Sequence, residues 1–564
     1  MKRITLKSLA LLVLVVVLVT SVAACAKSAE PTPTTPTPTT SPTSTPTAEP
    51  TTPAMQPKYG GVILVPTRLV AAGFDAHMRT SYSPYYSVPV FNNLVRFDPT
   101  ISDIGPDTII GDLAESWDTS ADGLTITFKL YQGVKWHDGK PFTADDVVYS
   151  IEKMVDSERS RIASNFPGFG SVSKTDDYTV VVKLSKAQPS FVAQLASGYA
   201  AIHPKHTAGS DVKSTDFLMG TGPFMYKSRV SDVEFVFEKN PNYFRKDADG
   251  NQLPYLDGIK YVIMKDRSAQ IDALTSNRLD MTDPNFGATT KEQVDRLDAI
   301  KGVTSVWKPS QAPAGSFINT NEGPLADVRV RQAMLMVAEL DLVTLAGFGD
   351  TMFRSDSHGH IMPRAWTVTN EEANAILGWD KPMDQRIADA KKLMADAGYP
   401  DGFELTYVIQ TLTEVVGQTQ GLADMWKDRL GIDVIIKSLP TPEMNKLRDA
   451  RDFDIVAQTM FVMVGDPDEL ASFFTTGSSS NFADYSNPRV DELLAAQSIE
   501  PDPAKRRAMV NEVEKTLLAD APFIPTGYNA YAVGWYDYVH GFMPLYSTYA
   551  SQLAYEQVWL DRSE

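Results

Sequence analysis

The sequence has almost no cysteine: Cys25 is the single cysteine among 564 residues. One thiol cannot form an intramolecular disulfide, and it cannot supply the thiolate cluster of a structural zinc or iron–sulfur site. Histidine is also scarce, with seven residues in all. The sequence therefore excludes a cysteine-built metal centre, and we expect no cofactor.

Basic residues are in deficit. The chain has 52 Lys and Arg against 70 Asp and Glu, which gives a formal net charge of −18. Binding to phosphate backbones needs a surplus of positive charge, so nucleic acid is excluded as a partner. Hydrophobic residues make up 43% of the chain, which excludes disorder of its main part. A single hydrophobic core stops growing near about 250–300 residues, so this length predicts several cores.

The familiar catalytic motifs are missing as well. The sequence contains no G-x-S-x-G elbow, no H-E-x-x-H helix, no Walker loop and no G-x-G-x-x-G turn. His358 and His360 lie two residues apart, and they are candidate metal ligands. Because no carboxylate or cysteine cluster lies beside them, metal binding is the weaker interpretation. We expect a protein that is not an enzyme.

The N-terminus has the pattern of a secretory signal. Lys2, Arg3 and Lys7 precede an apolar run over about 9–19, and small residues follow up to Cys25. A transmembrane anchor is the alternative, but the run is short for a hydrocarbon core of about 30 Å. The sequence Val-Ala-Ala-Cys resembles a bacterial lipobox. We therefore predict a signal peptide over 1–24 and a lipid on Cys25.

A spacer follows the predicted lipidation site. Residues 31–53 are almost entirely Thr, Pro and Ser, which favour extended conformations and cannot fill a core. We interpret 25–57 as a tether that holds the remaining chain away from a membrane. The protein is then expected on the outer face of the cytoplasmic membrane or in the periplasm.

The remaining chain alternates strand and helix patterns. Leu124, Ile126, Phe128 and Leu130 recur with the period of a strand. Thr143 is a predicted N-cap of a helix that continues to about residue 155. The pair Asp502-Pro503 predicts the start of another helix, whose apolar positions recur with helical spacing up to residue 517. Mixed patterns of this kind predict an α/β fold.

Aromatic and thioether side chains are frequent at predicted loops and strand ends. Ligand pockets are mostly apolar with a few polar groups, so these residues are candidate ligand contacts, although each could equally belong to a core. The candidates are Phe74, Tyr82, Trp366, Met460, Phe461, Met463 and Tyr528.

Several motifs, in order, carry a family resemblance. They are 92–98 (NNLVRFD), 113–117 (LAESW), 122–128 (DGLTITF), 133–147 (GVKWHDGKPFTADDV), 220–224 (GTGPF), 240–243 (NPNY), 255–258 (YLDG), 327–333 (DVRVRQA), 397–403 (AGYPDGF) and 520–525 (DAPFIP). The sequence resembles the family 5 extracellular solute-binding proteins, the dipeptide- and oligopeptide-binding components of ABC importers. The resemblance covers about 90% of the chain.

The resemblance implies a periplasmic-binding-protein-like fold (class II, cluster C), with two lobes, a hinge and an additional small subdomain. The first lobe is expected to combine residues 58–90, 218–308 and 528–564. The subdomain is expected over 91–217 and the second lobe over 309–527. The implied hinge strands lie near 308–310 and 526–528.

One departure from the family concerns the ligand. Peptide binders of this family hold the ligand's ammonium with an Asp four residues before a Pro, on the strand that precedes Asp-Pro. Counting back from Pro467 places Met463 there, and a thioether cannot pair with an ammonium. Asp466 is a candidate substitute. The departure makes a blocked or longer peptide, or a sugar-like or hydrophobic solute, an alternative to a free-amine dipeptide.

The function implied by the resemblance is capture of a peptide-like solute and its delivery to an ABC permease. We expect a monomer attached to the membrane through Cys25. The alternatives are the same fold binding a nickel or metal chelate through His358 and His360, a sensor-type binding module, and a secreted hydrolase, which is the least favoured.

Overall fold

The computed structural model describes residues 55–68, 73–78, 86–211, 213–355, 358–460, 462–544 and 555–562. Everything described after residue 56 belongs to one unit by its internal contacts. Strands and helices alternate along it, which confirms the predicted α/β class. Among these residues, none of the helices combines the length and the apolar character needed to cross a lipid bilayer.

The elements are numbered here in chain order. The strands are β1 (Val62–Thr67), β2 (Val95–Phe97), β3 (Ile109–Gly111), β4 (Ala114–Thr119), β5 (Thr125–Leu130), β6 (Phe169–Asp176), β7 (Thr179–Leu184), β8 (Phe224–Val230), β9 (Glu234–Lys239), β10 (Gly258–Ile263), β11 (Val303–Ile318), β12 (Arg354–Ser355), β13 (Glu404–Gln410), β14 (Asp433–Leu439), β15 (Ile455–Ala457), β16 (Phe523–Tyr536), β17 (Val539–His540) and β18 (Trp559–Leu560). The helices are α1 (Ala144–Met154), α2 (Phe191–Leu195), α3 (Arg267–Thr275), α4 (Lys291–Asp298), α5 (Val328–Met336), α6 (Leu340–Phe348), α7 (Asn370–Leu377), α8 (Met383–Asp396), α9 (Thr413–Leu430), α10 (Thr441–Ala450), α11 (Asp468–Phe474), α12 (Pro488–Gln497) and α13 (Pro503–Asp520).

A four-stranded sheet in the order β1-β10-β9-β8 builds the first core. β1 is parallel to β10, and the other neighbours are antiparallel. Side chains alternate between the faces of a strand, so Phe235 and Phe237 of β9 reach the same core as Ile259 and Tyr261 of β10. We call this sheet and the side chains packed on it lobe one.

A second sheet, in the order β4-β5-β7-β6, is antiparallel throughout. Ile126, Phe128 and Leu130 of β5 are buried on one face, which confirms the predicted strand. Helix α1 contacts β6 and β7. It begins as predicted after Thr143, whose N–H donates to the carboxylate of Asp146 at 3.0 Å. We call this sheet and its core the subdomain.

The third sheet is the largest, with six strands in the order β12-β16-β11-β15-β13-β14. It packs with most of the later helices into the largest hydrophobic core. Helix α13 begins after Asp502, whose side chain accepts the N–H groups of Ala504 and Lys505. Its Val510, Val513 and Leu517 are buried, as the spacing predicts. We call this sheet and its core lobe two.

Two long strands link the cores of lobes one and two. β11 and β16 pair antiparallel over most of their length. Trp307 and Ala532 pack against lobe one, whereas Phe317 and Phe523 belong to the core of lobe two. The pairing is interrupted between Pro309 and Pro313, where prolines cannot donate to the ladder. This interruption lies where the family resemblance implies the hinge.

Candidate functional site

A polar cavity of about 280 Å³ lies beside the interruption in β11 and β16. We call it the hinge cavity. Its lining residues are Ala314, Gly315, Ser316, Phe348, Tyr407, Gln410, Glu414, Val415, Gln418, Thr419, Leu422, Ala457, Gln458, Thr459, Thr526, Asn529 and Tyr531. Amide and hydroxyl side chains are frequent among them, so the cavity offers hydrogen-bond donors and acceptors from several elements.

Part of the lining is held in place by hydrogen bonds. The hydroxyl groups of Tyr407 and Ser316 lie 2.5 Å apart and are both buried. The side-chain oxygen of Gln458 accepts from Arg448 at 2.7 Å, while its amide nitrogen donates to the carbonyl of Thr459 at 2.8 Å. These side chains are therefore oriented before a ligand arrives, which lowers the entropy cost of binding.

Two arginines of lobe one, Arg68 and Arg267, lie outside the lining of this cavity. Nε of Arg267 donates to the carbonyls of Phe286 and Gly287 at 3.2 and 2.9 Å. Nε of Arg68 donates to the carbonyl of Lys265 at 3.1 Å. Burial lowers the pKa of Arg267, and the neighbouring cation of Arg68 lowers it further. The two guanidinium groups are thus adjacent like charges at the end of β1 and the start of α3.

Tyr531 of β16 connects the hinge cavity with these arginines. Its ring packs edge-on against Phe286, with the ring centroids 6.1 Å apart. Burial raises the pKa of its hydroxyl, and the charges of Arg267, Glu414 and Arg68 also act on it. Arg267 and Arg68 belong to the lobe-one side, whereas Glu414 begins α9 in lobe two. Charges from both sides therefore surround one hydroxyl.

A buried lysine lies on β11 near the same junction. Lys308 is 2% exposed, and its ammonium donates to the carbonyl of Pro284 at 3.1 Å. Burial lowers the pKa of Lys308 to about 7, although the carboxylate of Asp283 opposes the shift. Burial in turn raises the pKa of Asp283. Lys308 and Asp283 thus hold the segment that leads to Phe286. Because the carbonyl of Phe286 accepts from Arg267, they also help to position Arg267.

A larger cavity, of about 730 Å³, lies between the subdomain and lobe two. It is lined by residues from 103–126 and 187–193 on one side, and by Trp366, Asp466 and residues from 500–507 on the other. Its Asp466 and Arg506 already bind each other. We regard the hinge cavity as the better candidate site, because it lies beside the interruption in the two strands that link lobes one and two.

The predicted ligand residues Tyr528 and Trp366 are both buried. Tyr528 is 1% exposed, and its hydroxyl donates to the carbonyl of Met362. Trp366 is 4% exposed, and its indole N–H donates to the carbonyl of Gly465 at 2.9 Å. Trp366 borders the larger cavity, and neither residue lines the hinge cavity. Their role as ligand contacts stays a prediction.

Phe74, Met460 and Met463 pack into three different cores. Phe74 belongs to lobe one, Met460 to lobe two, and Met463 to the subdomain core together with Val464. The structure does not bring these three together, and it gives each a packing role. Tyr82, Phe461 and Cys25, which were also predicted as functional residues, lie outside the described residues.

The segment before Asp466 is not the regular strand that was expected. β15 ends at Ala457, six residues before Met463. The N–H of Met460 still donates to the carbonyl of Pro313 at 3.3 Å, so the chain follows β11 a little further. It then turns at Gly465, whose φ of 71° lies in the left-handed region that favours glycine. Met463 therefore lies beyond the regular pairing of β15 with β11.

Asp466, the predicted substitute for the missing ammonium partner, is already engaged. Its two carboxylate oxygens accept from Arg506 at 2.8 and 2.7 Å, and it is 1% exposed. Nearby, Glu469 accepts the N–H groups of Met463 and Val464. Burial raises the pKa of Glu469 to about 7, although these N–H groups favour its charged form. Both carboxylates stabilise the turn rather than face the hinge cavity.

His358 and His360 do not belong to a metal-type cluster among the described residues. His360 is 3% exposed, and its Nε2 lies 2.9 Å from the side-chain oxygen of Asn370. A group that has suitable ligand atoms within 4.8 Å of one another is formed elsewhere, by Asp75, His77 and His203. The Lys153 ammonium binds to this group, 2.7 Å from Asp75 and 3.2 Å from His203. A cation of the protein itself therefore neutralises this group.

Sequence reasoning missed the polar residues of the hinge cavity. Glu414, Gln418, Asn529 and Tyr531 lie in no motif that marks them in advance. One signal was available for Tyr531. It lies three positions after the predicted Tyr528 on the same strand, so the two side chains belong to opposite faces.

Comparisons with known proteins agree with this architecture. The family described as bacterial extracellular solute-binding proteins, family 5 Middle, matches residues 108–482. The crystal structure of the ABC transporter substrate-binding protein CtaP of Listeria monocytogenes superposes with a TM-score of 0.77 at 22% identity. The match covers 90% of this chain and 100% of CtaP. The two-lobe fold is therefore shared.

Two relatives extend over most of the chain. Di/tripeptide-binding protein 2 of Pseudomonas aeruginosa is 26% identical over 507 residues, which cover 83% of this chain and 89% of the relative. Heme-binding protein A of Haemophilus influenzae is 27% identical over 485 residues, which cover 80% of this chain and 83% of the relative. The two relatives have similar identity to this chain, but their names report different ligands.

Proposed function

The chain belongs to the bacterial extracellular solute-binding proteins of family 5, and from this membership we propose that it is the substrate-binding component of an ABC importer. It captures a peptide-like solute and delivers it to a membrane permease, without chemistry on the solute. The name of its Pseudomonas relative, a di/tripeptide-binding protein, supports this class of solute.

The observation that carries the proposal is the position of the hinge cavity. It lies beside the interruption in β11 and β16, the strands that link the core of lobe one to the core of lobe two. A rotation at that interruption changes the distance between the two cores and hence the access to the cavity. A solute that contacts both sides binds the closed form better, and it shifts the population toward that form.

We propose the division into lobes that the family implies. Lobe one combines 58–90, 218–308 and 528–564, the subdomain is 91–217, and lobe two is 309–527. The three hydrophobic cores support this division. Met463 and Val464 are exceptions, since they belong to the range of lobe two but pack in the subdomain core. Phe348 and Phe353 of the lobe-two range, and Phe91, Ala201 and Phe217 of the subdomain range, pack instead in the core of lobe one.

We propose that the protein works outside the cytoplasm as a lipoprotein. A diacylglyceryl group on Cys25 provides two acyl chains, enough for stable anchoring. The Thr/Pro-rich segment 31–53 spans up to about 70 Å when extended at about 3.1 Å per residue. The solute-binding lobes then reach a permease in the same membrane, and a monomer is sufficient for this role.

Native mass spectrometry of the purified protein tests the proposed function. We expect a co-purified short peptide or, after its removal, binding of free tripeptides, with a rise in melting temperature because ligand binds only the folded state. A bound haem, sugar or metal chelate, with no response to any peptide, would contradict the peptide assignment. The lining of the hinge cavity by amides and hydroxyls favours a polar solute over haem.

A further inference from the structure

Glu414 is a carboxylate placed inside the hinge cavity. It is the second residue of α9, it is half-buried, and it lines the cavity together with Gln410 and Gln418. Within the part of the chain that the structure describes, its carboxylate forms neither an ion pair nor a hydrogen bond, although its charge acts on Arg267. A carboxylate that lines a cavity without forming an ion pair there can bind a cation that enters the cavity.

Its position in the first turn of a helix is not a sufficient explanation. Acidic side chains are favoured there by the helix dipole, usually in full contact with water. Glu443 in the first turn of α10 is such a case, because it is exposed and does not border a cavity. Glu414 differs from Glu443 in its burial and in the cavity that it faces. Glu443 is therefore a matched control for Glu414.

Arg68 and Arg267 supply the opposite charge from lobe one. Each guanidinium is anchored through Nε to main-chain carbonyls, and none of the described carboxylates forms an ion pair with either residue. Two adjacent cations repel each other, so an anion that both can bind is favourable. A planar fork such as guanidinium matches the two oxygens of a carboxylate.

Tyr531 connects the two sets of charges. Its side chain lines the hinge cavity together with Glu414, and its ring packs edge-on against Phe286, whose carbonyl accepts from Arg267. Asn529, two residues earlier on β16, lines the same cavity and offers an amide. The arrangement from lobe two to lobe one is therefore a carboxylate, then amides and a hydroxyl, then two guanidinium groups.

We propose that this cleft selects a short zwitterionic peptide, whose ammonium group pairs with Glu414 and whose carboxylate binds Arg68 and Arg267. The inference rests on the proposed function and names the end groups of its solute. It also accounts for Met463, because the ammonium partner is supplied by α9 instead of the segment before Pro467. A cavity of about 280 Å³ is at the lower end of small-molecule pockets, which favours a short ligand.

Three pools of tripeptides of mixed sequence test the proposal. One pool has free ends, one is N-acetylated and one is C-amidated. The full-length protein is screened with each pool by thermal shift, and the strongest binder is measured by calorimetry in its three forms. We expect the free form to bind at least about tenfold more tightly than either blocked form, since each blocked end removes a charged hydrogen-bonded pair.

Variants assign each preference to a residue. Glu414→Gln is expected to abolish the preference for the free amine and to leave the affinity for the acetylated form unchanged. Arg267→Gln and Arg68→Gln are expected to abolish the preference for the free carboxylate over the amide. Glu414→Asp keeps the charge and is expected to retain part of the amine preference. Glu443→Gln is expected to behave as the unmodified protein.

The outcomes separate this inference from the proposed function. If Glu414→Gln keeps the amine preference, or weakens all three forms equally, then Glu414 is a structural group or a closing contact to Arg267, and the inference is wrong. If free and blocked peptides bind the unmodified protein equally, the peptide function stands and the inference fails. If no pool binds and another solute is found, both fail. Circular dichroism and melting confirm that each variant is folded.

Discussion

Arg506 holds both carboxylate oxygens of Asp466, at 2.8 and 2.7 Å, at the larger cavity between the subdomain and lobe two. The Arg506 guanidinium also lies over the ring of Trp366, 4.9 Å from its centroid. Asp466 is the residue that the sequence offered as a substitute for the missing ammonium partner. Its carboxylate is instead satisfied within the protein, so it supports the turn that follows Gly465.

Removal of this ion pair provides the first prediction. Asp466→Asn leaves the Arg506 charge buried without its bidentate partner, so we expect a loss of about 3–5 kcal/mol in the free energy of unfolding. Urea denaturation measures this loss. Glu512→Gln is the control, because the Arg489–Glu512 pair is exposed to water that screens it, so its loss is expected to change stability little. Weakened peptide binding at unchanged stability would instead support the ammonium-binding role of Asp466.

Two tyrosines of β16 provide a second, paired prediction. Tyr528→Phe leaves the buried carbonyl of Met362 without its donor, so we expect a loss of about 1–3 kcal/mol in stability. Tyr531→Phe removes a hydroxyl that faces the hinge cavity, so we expect stability within about 0.5 kcal/mol of the unmodified protein. Its peptide affinity is expected to fall about three- to tenfold.

Denaturation curves and calorimetry on both variants check this pair. The reverse pattern, with Tyr528→Phe weakening binding and Tyr531→Phe weakening the fold, would show that the binding site lies on the other face of β16.

The adjacent imidazoles of His77 and His203 provide a prediction about pH. Their ring centroids are 4.3 Å apart, and both residues lie beside the Lys153–Asp75 pair. Burial, and then the charge of Lys153, lower the pKa of both histidines well below 6.5. Below pH 6.5 the unfolded chain binds protons that the folded chain does not. Stability therefore falls as the pH decreases through this range.

His203→Gln isolates this effect. The glutamine can still accept from Lys153, but it does not titrate. We expect the loss of unfolding free energy between pH 6.5 and pH 5 to become smaller, by up to about 1.4 kcal/mol per pH unit. Urea denaturation at several pH values measures the slope. An unchanged slope would mean that His203 is protonated equally in the folded and unfolded chains.

Gly287 provides a prediction about the junction between lobe one and β16. A Cβ added at Gly287 would lie 2.0 Å from the carbonyl oxygen of Ala532, next to the bridge between Ala288 and Ala532. Gly287→Ala is therefore expected to cost about 1–3 kcal/mol, measured by denaturation. Gly105→Ala is the control, since nothing lies within 4 Å of the added carbon. Equal stability of the two variants would contradict the close approach.

Cys25 provides a prediction about location. Cys25→Ser removes the thiol to which a lipid would be attached, so we expect the protein to move from the membrane fraction to the soluble extracytoplasmic fraction. Metabolic labelling with an alkyne fatty acid, followed by cell fractionation, measures both the lipid and the location. Ser21→Ala, which keeps the cysteine, is expected to remain labelled. Membrane retention of Cys25→Ser would indicate an anchor other than the lipid.

Local patterns in the sequence predicted particular elements. The alternation of Ile126, Phe128 and Leu130 predicted β5, and Asp502-Pro503 predicted the start of α13. In both cases the evidence lies within a few neighbouring residues, because side-chain direction and capping are local properties of the backbone. The regular strand expected up to Met463 was wrong, since tertiary pairing along β11 ends earlier than the apolar pattern does.

The residues of the candidate site could not be predicted in the same way. The aromatic and thioether residues that composition suggested are mostly in the cores, because a large apolar side chain gains more from burial than from facing a polar cavity. Tyr531 was passed over in favour of Tyr528, although the period of a strand places them on opposite faces. Which of the two faces borders a cavity depends on α9, more than a hundred residues earlier.

The sequence by itself determined the α/β class, the family and many of the local elements, since each of these depends on spacing within short segments. It also predicted an extracytoplasmic lipoprotein. Only the tertiary structure decided which polar groups converge at the hinge cavity. Ser316, Glu414 and Tyr531 come from β11, α9 and β16, and no local rule relates positions so far apart. They meet because β11 and β16 bring two separately formed cores to one junction.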